Sequence, residues 1–300
     1  PSIALGGHLD TVPPPDGYRG PRREDDRVIG LGAADMKGSI AVMQTLFEQL
    51  PIDDLPYSLL MVLYDREEGP YADNGLEALL ESYESLKGAD LAIAMEPTDN
   101  TLQLGCLGSI HARVTFRGRA AHSARPWQGE NGIHKAASLF AALRDRTPRD
   151  VVIDGLTFRE TLSCTMASGG RARNVIPDRF ELNLNHRFAP TRPTNAAIDR
   201  AIAEIKALCT DAEVEISDVA PPASPPVDNP ILEHIRAQAD LPIAPKQAWT
   251  DVARLASHGI EAINFGPGSS AQAHQANESI GIDEMVRSYD VLARVLRAPR

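Results

Sequence analysis

Tyr57-Ser58-Leu59-Leu60-Met61-Val62-Leu63-Tyr64-Asp65-Arg66-Glu67-Glu68-Gly69 reads as a strand that runs into an acidic pair. From Tyr57 to Tyr64 the apolar residues do not alternate with polar ones. That pattern suits a strand covered on both faces, the habit of parallel sheets. Two other apolar runs stop in the same manner: Ile3-Ala4-Leu5 ahead of His8, and Leu91 to Met95 ahead of Glu96. In an open α/β sheet ligands gather beyond the carboxyl ends of the strands. Residues far apart in sequence therefore converge on one rim, and imidazole with carboxylate on a rim reads as a metal site.

Outward from these strands the periodicity turns helical. Met43, Leu46, Phe47 and Leu50 recur at i, i+3, i+4 and i+7, and Leu76, Leu79, Leu80 and Tyr83 mark a second helix. The βαβαβ order predicts an α/β domain, a mostly parallel sheet with helices on both faces. Near residue 106 the pattern changes. Ile110, Ala112, Val114 and Phe116 alternate with polar residues, as do Phe180, Leu182, Leu184, His186 and Phe188, so these strands have one wet face. With helical stretches near 131–144 and 195–208, residues 106–218 read as an inserted α+β domain holding a four-stranded antiparallel sheet and two helices. The proline-rich Ala220-Pro221-Pro222-Ala223-Ser224-Pro225-Pro226 closes it. Residues 219–300 resume the α/β pattern, with a helix near 229–239, a strand Ala262 to Phe265 and a closing helix with Met285, Tyr289, Leu292 and Leu296 on one face. The site-bearing domain is thus split, 1–105 plus 219–300.

A chain of 300 residues is long enough for two domains. Its net charge of −11 and pI near 5.2 speak against nucleic acid or an anionic membrane as partner, since both need clustered Lys and Arg. No apolar run approaches the roughly 20 residues of a membrane span, and no signal segment opens the chain. Cys106, Cys164 and Cys209 lack CxxC spacing and read as reduced thiols of a cytoplasmic protein. The chain opens at Pro1 inside a strand, so a preceding segment is expected.

The candidate ligands are His8, Asp35, Glu68, Glu96 and His274, with Asp10 and Glu67 beside them. The donor set suits zinc, or less specifically cobalt or manganese. A pair of ions needs a shared carboxylate, and Asp35, in the tight loop Gly32-Ala33-Ala34-Asp35-Met36-Lys37-Gly38, could present one.

The motifs Gly7-His8-Leu9-Asp10-Thr11-Val12-Pro13, Gly30 to Gly38, Glu67-Glu68-Gly69, Glu96-Pro97-Thr98, Gly118 to Ser123 and Asn174-Val175-Ile176-Pro177 occur in that order. Together with His274 they make the whole chain resemble the zinc-dependent aminoacylase, carboxypeptidase and desuccinylase family. The segments Ala121 to Trp127, Asn183 to Pro190 and Trp249 to Arg254, followed by Asn264 to Gly268, are most similar to its actinobacterial succinyl-diaminopimelate desuccinylase type. The resemblance implies two zinc ions per subunit, with His8 and Glu96 on one, Glu68 and His274 on the other, and Asp35 bridging. It implies Asp10 as the carboxylate that orients His8, Glu67 as general base, and Asn174, Arg187 and Gly268 as substrate contacts. It also implies that the inserted domain is a dimerisation (lid) domain whose His122 completes the partner's active site, hence a homodimer. The implied reaction is hydrolysis of N-succinyl-LL-2,6-diaminopimelate to succinate and diaminopimelate, a step toward lysine. Deacylation of another N-acyl amino acid such as acetylornithine, a carboxypeptidase action, and a non-catalytic metal-binding relative are the competing readings.

Other polar residues carry plainer expectations. His186, on the apolar side of its strand, reads as a hydrogen-bonded core histidine and His111 as a solvated one. Thr250 and Asp251 read equally as site lining or as a helix N-cap pair. Arg125, Arg171 and Arg173 read as either solvated surface or positive charge for an anionic substrate.

Overall fold

Ser58–Tyr64 forms a strand parallel to Ser2–His8, with Leu5 opposite Met61 and His8 opposite Tyr64. Ser2–His8 is parallel to Leu91–Ala94, and that strand to Ala262–Asn264. The computed structural model, which describes residues 1–299, sets them in a six-stranded sheet. Its order is Ile243–Pro245, Leu102–Leu104, Ala262–Asn264, Leu91–Ala94, Ser2–His8, Ser58–Tyr64. The pairing of Ala262–Asn264 with Leu102–Leu104 is antiparallel, and the sheet is otherwise parallel.

Position in the sheet explains burial better than composition does. Leu91, Ala92, Ile93 and Ala94, in the interior, are each at most 3 % exposed. Ser58–Tyr64 has the longest apolar run, yet it lies at the edge, and Leu59, Leu60, Met61 and Leu63 are only half-buried. The expected cover on both faces is therefore incomplete there. Each fully buried Ile or Leu of the inner strands contributes about 1.5–3 kcal/mol. The helix Gly38–Gln49 turns Ile40, Val42, Met43 and Leu46 inward. Leu76–Ser82 is one residue shorter than its periodicity suggested, because Tyr83 is extended (φ −115°, ψ 103°) and 57 % exposed.

The described residues fall into two units: Pro1–Cys106 with Ser224–Lys246 and 250–299, and Leu107–Ala223 with Gln247–Trp249. The second unit is an antiparallel sheet ordered Glu213–Ala220, Gly108–Arg117, Arg179–Phe188, Leu156–Gly169, Arg149–Ile153. It has five strands where four were expected. The additional one, Arg149–Ile153, pairs with the start of the long Leu156–Gly169, and its own burial is too slight to betray a strand in the sequence. Register places Phe116 opposite Phe180, Val114 opposite Leu182 and Ala112 opposite Leu184. That apolar face packs on Leu139 and on Ala197, Ala201 and Ile205 of the helix Thr194–Leu208.

Candidate metal centre

Four neighbouring parallel strands end on one rim of the first unit. His8 is the last residue of Ser2–His8, Glu67 and Glu68 follow Ser58–Tyr64, Glu96 follows Leu91–Ala94, and His274 lies in the loop beyond Ala262–Asn264. Asp35 comes from a different element, the single wide turn Ala33–Lys37, in which the Asp35–Met36 peptide is cis. Gly32 opens that turn at φ +78°, where a Cβ would stand 2.4 Å from Thr11 Cγ2, so only glycine fits.

Side-chain contacts draw these groups together. His8 Nε2 is 3.2 Å from Asp35 Oδ1 and His274 Nε2 is 2.9 Å from Glu68 Oε1, with Asp35 Oδ2 at 3.9 Å. Possible ligand atoms lie within 4.8 Å of one another in His8–Asp35–Glu96 and again in Asp35–Glu68–His274. The two groups share Asp35. A third grouping, His8–Glu67–Glu68, puts Glu67 beside both. Asp10 organises the same rim: its Oδ1 and Oδ2 accept from the backbone N–H groups of Glu67 and Glu68, each at 3.2 Å. His8 Nδ1 lies 3.2 Å from the Asp10 carbonyl and 3.5 Å from its carboxylate, which fixes the ring with Nε2 toward Asp35.

The electrostatics are those of crowded carboxylates. Burial disfavours a charged His8, but the hydrogen bond to Asp35 and the fields of Glu96 and Glu67 outweigh it and push the pKa up to about 10. Burial and then Asp35 lift the Glu96 carboxyl to about 7, against the pull of Lys246 and His8. Glu67 is raised well above the ordinary glutamate range, by burial first and then by Glu96 and Asp251. Glu96 Oε1 is buried with no hydrogen-bond partner among the described residues. An orphaned buried carboxylate oxygen beside an imidazole and a second carboxylate fits a divalent cation, and the donor set suits zinc.

Glu278 and Lys246 carry no expectation from the sequence. Glu278, 1 % exposed, accepts from the N–H groups of Gly32, Ala34 and Asp35 at 2.9–3.0 Å and so holds the turn that presents Asp35. A lone acid in Ala276-Asn277-Glu278 gives no sequence signal of that task. Lys246 is 4 % exposed, donates to the Pro97 carbonyl at 3.2 Å and sets a positive charge near Glu96 and Asp35. Thr250 and Asp251 do not cap the helix Val252–Ser257 with their side chains. Thr250 Oγ1 bonds Asn264 Oδ1 at 2.8 Å, and the fully buried Asp251 accepts twice from Asn74 Nδ2.

Gly268 is buried at φ +80°, with Ala34 Cβ 3.3 Å from where its own Cβ would stand, and its carbonyl accepts from Asp99 N–H. His122, Asn174 and Arg187 belong to the second unit. Ser123 N–H donates to the Asn174 carbonyl at 2.9 Å and His122 bridges to Val175, so His122 and Asn174 occupy adjoining backbone. Arg187 lies on Arg179–Phe188 and donates from Nε to Asn185 Oδ1 at 3.0 Å. His186 is core, as read, but its nearest acid oxygen, on Glu204, is 3.7 Å away and neither ring nitrogen has a hydrogen-bond partner among the described residues. His111 is held by Asn183 and Asn185 rather than left to solvent. No helix among the described residues is long and apolar enough to cross a membrane.

Residues 4–298 match the model of peptidase family M20/M25/M40. The chain is 38 % identical over 294 residues, 98 % of its length and 82 % of the relative's, to a Mycobacterium tuberculosis protein carrying the provisional name succinyl-diaminopimelate desuccinylase DapE. It is 35 % identical over 297 residues, 98 % of its length and 80 % of the relative's, to the succinyl-diaminopimelate desuccinylase of Corynebacterium glutamicum. In fold it resembles the M20 family metallo-carboxypeptidase Sso-CP2 of Sulfolobus solfataricus, with a TM-score of 0.76 at 16 % identity over 99 % of this chain and 84 % of that one. It likewise resembles Bacillus subtilis YXEP, described as a dinuclear metal binding peptidase, with a TM-score of 0.62 at 14 % identity over 99 % and 80 %. The chain belongs to peptidase family M20/M25/M40 and is a metal-dependent hydrolase.

Proposed function

We propose that this chain hydrolyses the amide of N-succinyl-LL-2,6-diaminopimelate, releasing succinate and LL-2,6-diaminopimelate. The observation that carries this reading is the pair of candidate ligand groups that share Asp35, in a chain similar over 98 % of its length to two proteins named for that activity. His8 and Glu96 would hold one zinc ion, Glu68 and His274 a second, and Asp35 both, with cobalt or manganese as substitutes. When bound, the ions supply the Lewis acid that activates water and polarises the amide carbonyl.

The chain's own residues perform the proton work. Glu67, buried and adjacent in sequence to a ligand, takes a proton from the attacking water and returns it to the departing amine nitrogen. Asp10 ties the Glu67 and Glu68 backbone to His8, so base and ligands keep their mutual positions. In this reading the second unit mediates a homodimer, and His122 of one protomer stabilises the tetrahedral oxyanion in its partner's site. Arg187 and Asn174 hold substrate polar groups, Arg187 through a bidentate grip on a carboxylate. Gly268 offers its backbone to the substrate at close range.

The test is a substrate panel on zinc-loaded protein. A drop in kcat/KM of about tenfold or more on replacing succinyl by acetyl supports the reading, because a site built for a carboxylate rejects an analogue that lacks it. Equal rates with the two acyl groups refute it.

A further inference from the structure

The arginines of the second unit divide into two populations. Ten of its fourteen are paired with carboxylates, among them Arg117 with Glu213, Arg159 with Asp150, Arg179 with Glu181, and Arg149 and Arg200 with Glu160. Arg187 donates to Asn185. Arg125, Arg171 and Arg173 are exposed and have no side-chain ion pair or hydrogen bond among the described residues. These three do not scatter over the surface. They lie on two adjoining pieces of backbone, 121–125 and 171–176, pinned by Ser123 N–H to the Asn174 carbonyl at 2.9 Å and Ile176 N–H to the Ala121 carbonyl at 2.8 Å. Arg125 N–H closes the turn on the His122 carbonyl at 2.8 Å, and Val175 N–H closes the other on Ala172. The same two pieces carry His122 and Asn174.

Ion pairing at a surface adds little stability, but it does quench the local field. Three unquenched guanidiniums on a braced loop pair make a positive locus on a chain of net charge −11. The substrate of the proposed reaction bears three carboxylates against one ammonium, and Arg187 can grip only one of them. We propose that Arg125, Arg171 and Arg173 form a carboxylate-capture surface that recognises the succinyl end of the substrate. This rests on the desuccinylase reading and deepens it: the surface supplies the acyl preference, while bond cleavage stays with the metal-centre residues. Guanidinium suits the task because it remains charged at any working pH and offers two parallel N–H donors to a carboxylate.

The experiment compares zinc-loaded wild type with the triple variant Arg125→Gln, Arg171→Gln, Arg173→Gln, in which no described contact is broken. Calorimetric titration with succinate and with acetate reads recognition without turnover. Succinate affinity is expected to fall at least about tenfold and acetate affinity less than about twofold. With N-succinyl substrate, kcat/KM falls by a similar factor, carried by KM, and its dependence on salt flattens. A triple variant that binds succinate within twofold of wild type overturns the proposal. The two ideas fail differently. Wild type that cleaves acetyl and succinyl substrates equally refutes the desuccinylase reading, whereas wild type that prefers succinyl and keeps that preference in the triple variant refutes only the capture surface.

Discussion

Arg254 is the largest fully buried side chain among the described residues, and what it grips is the loop that carries Glu67 and Glu68. From the helix Val252–Ser257 its guanidinium donates to the Glu77 carboxylate and to the Tyr71 carbonyl, lies 3.9 Å over the Tyr71 ring, and faces Asp251 Oδ1 at 3.5 Å. Asp251 in turn accepts from Asn74 Nδ2, and Asn74 Oδ1 accepts from Leu76 N–H. The loop from Asp65 to Gly75 is thus fastened at its far end by a buried ion pair. Arg254→Met keeps the volume and removes the charge. Breaking a buried pair from one side costs about 3–5 kcal/mol, and the lost cation–π contact about 0.5–2. Asp251 keeps Asn74, and Glu77, 37 % exposed, keeps His258 at 2.9 Å. We therefore expect the low end, about 3 kcal/mol.

Asp251→Asn leaves a neutral acceptor for Asn74, and Arg254 retains Glu77 and Tyr71, so that change is expected to cost about 1–2 kcal/mol. The double variant has no stranded charge at Asp251 and is expected to lose about the same as Arg254→Met alone. The coupling then amounts to at least about 1 kcal/mol. Urea unfolding of the four proteins measures it, read from midpoints at constant m. Losses that add within about 0.5 kcal/mol, or an Arg254→Met variant as stable as wild type, would refute the claim that the two charges support each other.

Glu67→Gln should abolish turnover with metal content, measured by elemental analysis, nearly intact; loss of metal would instead make Glu67 a ligand. Glu278→Ala removes the acceptor for three N–H groups, so the Asp35 turn loosens and zinc affinity by competitive chelation falls at least about tenfold; Glu278→Gln keeps one acceptor oxygen for the Ala34 and Asp35 N–H groups and loses only the bond from Gly32, so a smaller fall is expected. Gly32→Ala forces a side chain at φ +78° into Thr11 and should lower the thermal midpoint, whereas Gly155→Ala, at φ +80° in open space, pays only the strain of the left-handed backbone. Burial opposes a charged Glu160, but Arg200, the Ala189 N–H and Arg149 overcome it and hold its carboxyl below the ordinary 4.5. A lowered folded value gives stability that is whole above 4.5 and lost as pH falls toward the folded value. Glu160→Gln should therefore flatten the acid limb of the melting curve, and an unchanged limb would show that other carboxylates control it.

Much of this was readable in the chain because the fold writes its rim in a simple code. Apolar runs that end in His8, Glu68 and Glu96 follow from burial of the strands and the exposure of their carboxyl ends, so strand reading and site reading are one act. Asp35 and His274 obey no such rule: the one sits in a wide turn, the other in a loop at φ +65°, and only the ordered motifs singled them out. The strand Arg149–Ile153 escaped notice because a half-wet edge strand of five residues has no periodicity to distinguish it from a loop.

What the sequence hides most completely is support that acts through backbone. Glu278 serves Asp35 by accepting peptide N–H groups, and Asp10 serves Glu67 and Glu68 in the same manner. A peptide N–H is present at every non-proline residue, so the recipient end of such a bond leaves no trace in the choice of amino acid. Only the acid that accepts is written, and an isolated acid on a polar turn resembles any other. Lys246 is hidden for a related reason, since its partner is the Pro97 carbonyl and its electrostatic task is shared among several carboxylates. Ligand atoms must be side chains of few chemical kinds at strand ends, and can be found by pattern. The groups that hold those atoms still are bound to what all residues have in common, and become visible only when distant segments are brought within 3 Å.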